Sequence, residues 1–166
     1  MEVPGSGVSE LFQLLRDGVP RTRAQLANST GLARSTVAAR IDELMRTGLV
    51  APVADAVSTG GRPSSQFALN PAGRVMGAVD IGASHATVAL TDLTAAVLAS
   101  RTDRLDVADG PVAVLTRVVD MLHALLDENG RTERELAAIG VGLPGPVQHS
   151  TGQPVNPPIM PGWDRF

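Results

Sequence analysis

Apolar residues recur at helical spacing between Ser9 and Asp17, where Leu11, Leu14 and Leu15 line one side, and Gly18 with Pro20 ends the run. A second helix opens at Thr22. The stretch Thr22-Arg23-Ala24-Gln25 has the form of a capping box, in which hydroxyl and amide side chains satisfy exposed backbone donors at the helix start, and Leu26 with Ala27 supplies the buried stripe. Ser29-Thr30-Gly31-Leu32 reads as a tight turn, with Gly31 free to adopt a left-handed conformation and Leu32 dropping toward the core. From about Arg34 to Arg46 a third helix is predicted, with Val37, Ile41 and Leu44 inward and Arg34, Ser35, Thr36, Ala39 and Arg40 toward its start and outer face. Ala33 stands where a side-chain cap is the commoner choice, so the start of this helix lacks one.

After Thr47-Gly48 the period changes from helix to strand. Leu49-Val50-Ala51 and Gln66-Phe67-Ala68-Leu69 read as two short strands flanking the loop Ser58 to Pro63, and Asn70-Pro71-Ala72-Gly73 is a turn-prone junction. Val75 to Gly82, Thr87 to Leu90 and Ala96 to Ser100 then predict three strands of a meander. Pro111 opens an amphipathic helix whose stripe is expected to be Val112, Leu115, Val118, Val119, Leu122, Leu125 and Leu126, with Asn129-Gly130 as its stop. A capped turn from Thr132 to Leu136 leads to Ala137 to Val141, read as a buried strand.

Composition narrows what these elements are for. At 166 residues there is room for one full core and a small satellite. The absence of cysteine excludes a disulfide framework or thiolate metal site within the sequence. The start at Met1 to Gly7 has neither a basic segment nor an apolar core, and no run approaches the about 20 apolar residues of a membrane span, so the expectation is a cytoplasmic chain with no membrane partner. All 14 basic residues are arginine, and their distribution is uneven: residues 1–74 hold 8 Arg against 6 acids, whereas residues 75–166 hold 6 against 11. A mildly basic head on an acidic body suits a head that meets polyanions.

Three short helices followed by a two-stranded wing form a winged helix-turn-helix, whose third helix enters the major groove of DNA. On this reading Ser35, Thr36 and Arg40 face base edges, Arg34 and Thr22 approach phosphates, and Arg62 at the wing tip reaches a narrow minor groove. For any one of these arginines taken alone, a solvated helix face or an ordinary loop is the alternative. In the second half, Asp80-Ile81-Gly82 with Ser84 is a strand-to-strand bend of a kind suited to a phosphate, or simply a turn. Glycines and prolines after the last strand, from Gly140 to Val147 and again from Asn156 to Trp163, place a rigid loop at a strand's carboxyl end, where α/β folds bind ligands. His85, His123 and His149 are scattered and no metal is expected.

Together these segments resemble the ROK family, which joins repressors, open reading frames and sugar kinases. The winged head with Thr59-Gly60-Gly61-Arg62-Pro63 is similar to its xylose and N-acetylglucosamine repressor branch, Asp80, Gly82 and Ser84 to its first phosphate motif, and the loops bearing Gly145 and Asn156 to its sugar side. The resemblance covers essentially the whole chain. It implies a winged helix-turn-helix over residues 1–70, followed over 74–166 by the first half of an actin-like, ribonuclease-H-like α/β domain. It further implies double-stranded operator DNA and a small-molecule sugar effector as partners, and a homodimer in the full-length family member. Ala83 and His85 stand where the family's kinases tend to carry Gly and Lys, and Gln148-His149 where an acid is usual, so the phosphate motif is expected to be vestigial. Family kinases carry their catalytic Asp downstream in an Asn-Asp segment, and the sequence ends at Phe166, so neither enzymatic activity nor a cofactor is expected. The rival expectations are an ATP-dependent sugar kinase and an inactive fragment.

Overall fold

The computed structural model describes residues 7–53 and 65–166. The chain divides into two compact units, residues 1–74 and 75–166.

The first unit contains helices α1 (Gly7–Leu15), α2 (Arg23–Thr30) and α3 (Arg34–Arg46) and a three-stranded sheet of β1 (Arg21–Thr22), β2 (Val50–Val53) and β3 (Gln66–Leu69) in the order β1-β3-β2. Both neighbours pair antiparallel to β3. The two-residue β1 has no periodic signature of its own and was not anticipated from the sequence. The α2 capping box forms as expected: the Gln25 amide donates to the Thr22 hydroxyl at 3.2 Å, and the Thr22 amide donates to Gln25 Oε1 at 2.8 Å. Gly31 ends α2 at φ 69° and donates to the Ala27 carbonyl, a left-handed cap that a β-carbon would strain. Leu11, Leu15, Leu26, Val37, Ile41, Leu44, Val50 and Phe67 close into one buried cluster, with Leu32 partly buried against it. Each fully buried side chain of this kind contributes roughly 1.5–3 kcal/mol. The first helix lies two residues earlier than its apolar pattern suggested, which is ordinary variation at a helix end.

The second unit is a four-stranded sheet with one long helix. Strands β4 (Val75–Ile81), β5 (His85–Thr91) and β6 (Val97–Arg104) form an antiparallel meander, and β7 (Leu136–Gly142) joins the other side of β4 in parallel, giving the order β6-β5-β4-β7. The parallel return requires a crossover, supplied by α4 (Pro111–Glu128). Alternation in β4 and β5 sends Val75, Val79, Ile81, Ala86, Val88 and Leu90 to one face, where α4 covers them with Val114, Val118, Met121, Leu122, Leu125 and Leu126. Two sequence expectations change here. Val112 and Val119 are 68% and 46% exposed, while Val114 and Met121, absent from the expected stripe, are buried. The strand read as buried, β7, is exposed along nearly its whole length, because among the described residues β4 flanks it on one edge and nothing flanks the other.

The opposite sheet face carries mostly small or polar residues, with Met76 the apolar exception on β4. Ala78, Asp80, Thr87, Ala89, Gly140 and Gly142 line a shallow depression of about 330 Å³ there. No described helix is long and apolar enough to cross a membrane.

Candidate nucleic-acid interface

The start of α3 is exposed and carries no side-chain cap. Ala33 makes no side-chain cap bond, so the first N–H groups of the helix stay open to an external acceptor. Arg34 and Ser35 are exposed and Thr36 is partly so. Ser35, Ala39 and Asp42 follow at i, i+4 and i+7 and form an outward stripe opposite the buried Val37, Ile41 and Leu44. Thr22 sits at the start of α2, half-buried, with its hydroxyl engaged in the capping box.

Arg40 is placed differently from its expected outer-face position. It follows Val37 by three residues and precedes Leu44 by four, which turns it toward the edge of the core. The side chain is half-buried, its guanidinium fills the space where a β-carbon on Gly7 would stand, and Nη1 is buried without a hydrogen-bond partner among the described residues. Arg40 therefore packs on α1 and does not share the surface of Arg34 and Ser35. Arg62 lies outside the described residues.

Two features escaped the sequence reading. The turn between α1 and α2 is fixed by Arg21, which pairs with both carboxylate oxygens of Asp17 at 2.7 and 2.6 Å and also donates to the Leu14 carbonyl at 2.6 Å. Those bonds, with one from the Val19 amide, hold the Asp17 carboxyl at about 2 against an ordinary 3.8. An Asp and Arg four residues apart around Gly18 was the available signal. The second feature is Arg23, at the first position of α2: its guanidinium lies 4.5 Å from the centroid of the Phe67 ring and donates to Asp42 at 2.9 Å. The 19 residues separating Arg23 from Asp42 leave no local signature of the pair.

In the second unit the carboxyl ends of parallel β4 and β7 lie side by side, with Asp80 opposite Gly142. Asp80 is exposed on the uncovered sheet face and Thr87 neighbours it on β5. The bend after β4 closes through the Gly82 amide, which donates to the His85 carbonyl at 2.8 Å, and Ser84 is exposed at its tip. Beyond β7 the chain forms a second layer of turns. Gly145 approaches Pro157 so closely that a β-carbon would stand 2.8 Å from the proline Cβ, which brings the Gly145 loop beside Asn156. Asn156 is exposed at φ 44°, and its amide donates to the Asp164 carboxylate at 2.8 Å. The segment is anchored by Trp163, whose indole donates to the Val107 carbonyl at 3.0 Å. Asp80 and the Gly145 loop thus both belong to the carboxyl end of the sheet, where ligands of α/β folds bind.

A three-helix head with a small antiparallel sheet and a separate mixed four-stranded sheet with one crossover helix define the class: a helix-turn-helix module joined to an α/β unit. Residues 76–166 match the ROK family model, more than half of the chain, and the chain belongs to that family. Residues 11–51 match a model for winged helix-turn-helix DNA-binding domains. Among curated proteins, the xylose repressor of Bacillus spizizenii is 28% identical over 135 residues, covering 81% of this chain and 35% of that protein. The DNA-binding transcriptional dual regulator NagC of Escherichia coli is 28% identical over 144 residues, covering 86% of this chain and 35% of the regulator. The chain thus spans about a third of the length of these relatives. In fold it is similar to a solved ROK family transcriptional regulator, a homolog of the E. coli Mlc protein, at TM-score 0.77 and 20% identity over 96% of this chain and 40% of that one.

Proposed function

We propose that this chain carries the operator-binding head and part of the effector-sensing body of a sugar-responsive transcriptional repressor. The observation that carries the reading is the open start of α3, uncapped at Ala33 and presenting Arg34 and Ser35 to solvent. Arg34 and Thr22 approach phosphates, Ser35 and Thr36 face base edges, and Arg40, packed on α1, is left out of the contact set. The DNA-binding unit corresponds to residues 1–70 and the body to 74–166. The body binds a small sugar near Gly145 and Asn156, at the carboxyl ends of β4 and β7. Asp80, Gly82 and Ser84 are the remnant of a phosphate motif. The full-length protein acts as a homodimer in the cytoplasm, because a symmetric operator calls for two heads. The named repressors among its relatives support a binding protein over a sugar kinase.

The test is fluorescence anisotropy on DNA upstream of neighbouring sugar-uptake genes, titrated with salt. Affinity is expected to fall steeply as salt rises, because arginine contacts to phosphate release counterions. Arg34→Ala is expected to lower the salt slope by about 1, the mark of a lost phosphate contact, while Arg40→Ala leaves the slope unchanged. Affinity that is flat across salt refutes the reading.

A further inference from the structure

An arginine at the first position of α2 is ordinarily placed to meet phosphate, since the helix start already attracts anions. Arg23 is turned the other way. Its guanidinium lies over Phe67 of β3, 4.5 Å from the ring centroid, and Nη2 donates to Asp42 in the third turn of α3 at 2.9 Å. Its Nε is buried with no hydrogen-bond partner among the described residues. The Phe67 ring is itself in the core at 2% exposure. One planar cation therefore touches the start of α2, the wing strand and the middle of α3.

Asp42 gives this arrangement its significance. It lies seven residues after Ser35, on the outward stripe of α3 that the proposed function turns toward DNA. A bare carboxylate there repels phosphate. Paired with Arg23, it is neutralised and ties α3 to the two elements that flank it. An exposed ion pair by itself contributes little. Here the guanidinium is also stacked and partly desolvated, which fixes its position and gives its planar fork a defined direction toward Asp42.

We infer that Arg23 is a positioning residue for the recognition helix, acting through Phe67 and Asp42 and making no phosphate contact of its own. The inference rests on the DNA-binding reading, and the sign of one substitution tests it. Asp42→Asn removes a negative charge from the helix face. If Asp42 only repelled DNA, that change would tighten operator binding; as half of the clamp, it is expected to weaken binding several-fold. Arg23→Gln is expected to weaken it at least as much, because it also bares the Asp42 carboxylate, and the double variant to be no worse than Arg23→Gln and to keep the wild-type salt slope. Tighter binding by Asp42→Asn, a slope lowered by about 0.9 in the double variant as for a lost phosphate contact, or additive losses would overturn the assignment.

A readout without DNA separates failure of this inference from failure of the functional one. Amide hydrogen exchange along α3 in the free protein is expected to rise several-fold in each single variant and no further in the double. If wild-type protein binds no DNA while this coupling is present, the clamp stands and the operator reading falls. If exchange is unaffected, the clamp falls whatever the DNA result.

Discussion

Trp163 is the residue whose removal tests whether the turns after β7 belong to the core or merely lie on it. It is 2% exposed, belongs to the same buried cluster as Val107, Val118 and Met160, and donates its indole N–H to the Val107 carbonyl at 3.0 Å. Phe166 meets it edge-on, with ring centroids 6.4 Å apart. A buried aromatic of this size removes on the order of 150–250 Å² from water. At about 25 cal/mol per Å² that is roughly 4–6 kcal/mol, close to the 3–5 kcal/mol that Trp→Ala changes typically cost. Trp163→Ala is therefore expected to consume a large fraction of a domain's usual 5–15 kcal/mol stability. Trp163→Phe keeps most of the apolar surface but leaves the Val107 carbonyl with only the 3.4 Å bond from the Gly110 amide, at a cost of about 1 kcal/mol. Hydrogen exchange of the amides of β4 and α4, which report on this unit alone, should accelerate by about tenfold for each 1.4 kcal/mol lost. Unchanged protection in Trp163→Phe together with a loss below about 1 kcal/mol in Trp163→Ala would refute the claim that this segment is part of the core.

Two further predictions concern the first unit. Thr22→Ala removes the hydroxyl half of the α2 capping box and is expected to cost about 1 kcal/mol, read as faster exchange of the Gln25 amide that the hydroxyl now accepts from. For Asp17, the bonds from Arg21 and Val19 lower the folded value to about 2, below the ordinary 3.8. The carboxylate therefore supports the α1–α2 turn at pH above about 4, and that support is lost as pH falls through about 2. An NMR titration of the Asp17 carboxyl carbon should show the depressed midpoint. Asp17→Asn should abolish the acid-dependent change of the Val19 amide signal.

What the sequence made legible is what short-range chemistry decides. The capping box at Thr22, the glycine stop at Gly31 and the 3.6-residue stripe of Val37, Ile41 and Leu44 define α2 and α3 by interactions within a few residues; α3 appears with its expected bounds, while α2 runs two residues into the expected turn, through Thr30. The meander of β4 to β6 and the opening of α4 at Pro111 were equally readable. The phase of the α4 stripe was not. Val112 and Val119 satisfy helical spacing with Leu115 as well as Val114 and Met121 do with Val118, and only the sheet beneath leaves the first pair exposed and buries the second. The burial of β7 failed for a similar reason. An apolar run such as Ala137 to Val141 shows that a strand suits a covered place, but burial also needs a neighbour on each side, and among the described residues β4 is the flanking strand on one side only.

Within the candidate interface the same division decides which arginine does what. Arg34, Arg40 and Arg23 look interchangeable as cations near the start of a recognition helix, yet they occupy three different environments. Arg34 stands at the exposed helix start. Arg40 falls at i+3 from Val37 and i−4 from Leu44, so helical geometry swings it toward the core, where its guanidinium packs against Gly7. That much could have been read from the numbering, by placing residue 40 on the same wheel as 37, 41 and 44. Arg23 could not have been, because its partners Phe67 and Asp42 come from a strand and a helix that only the folded chain brings together. Charge counting therefore overstates the number of cations available to DNA: of these three, one is presented outward, and the other two are held by α1 and by the Phe67–Asp42 pair. The basic excess of the head thus says less about which cations it presents to solvent than the exposed start of α3 does.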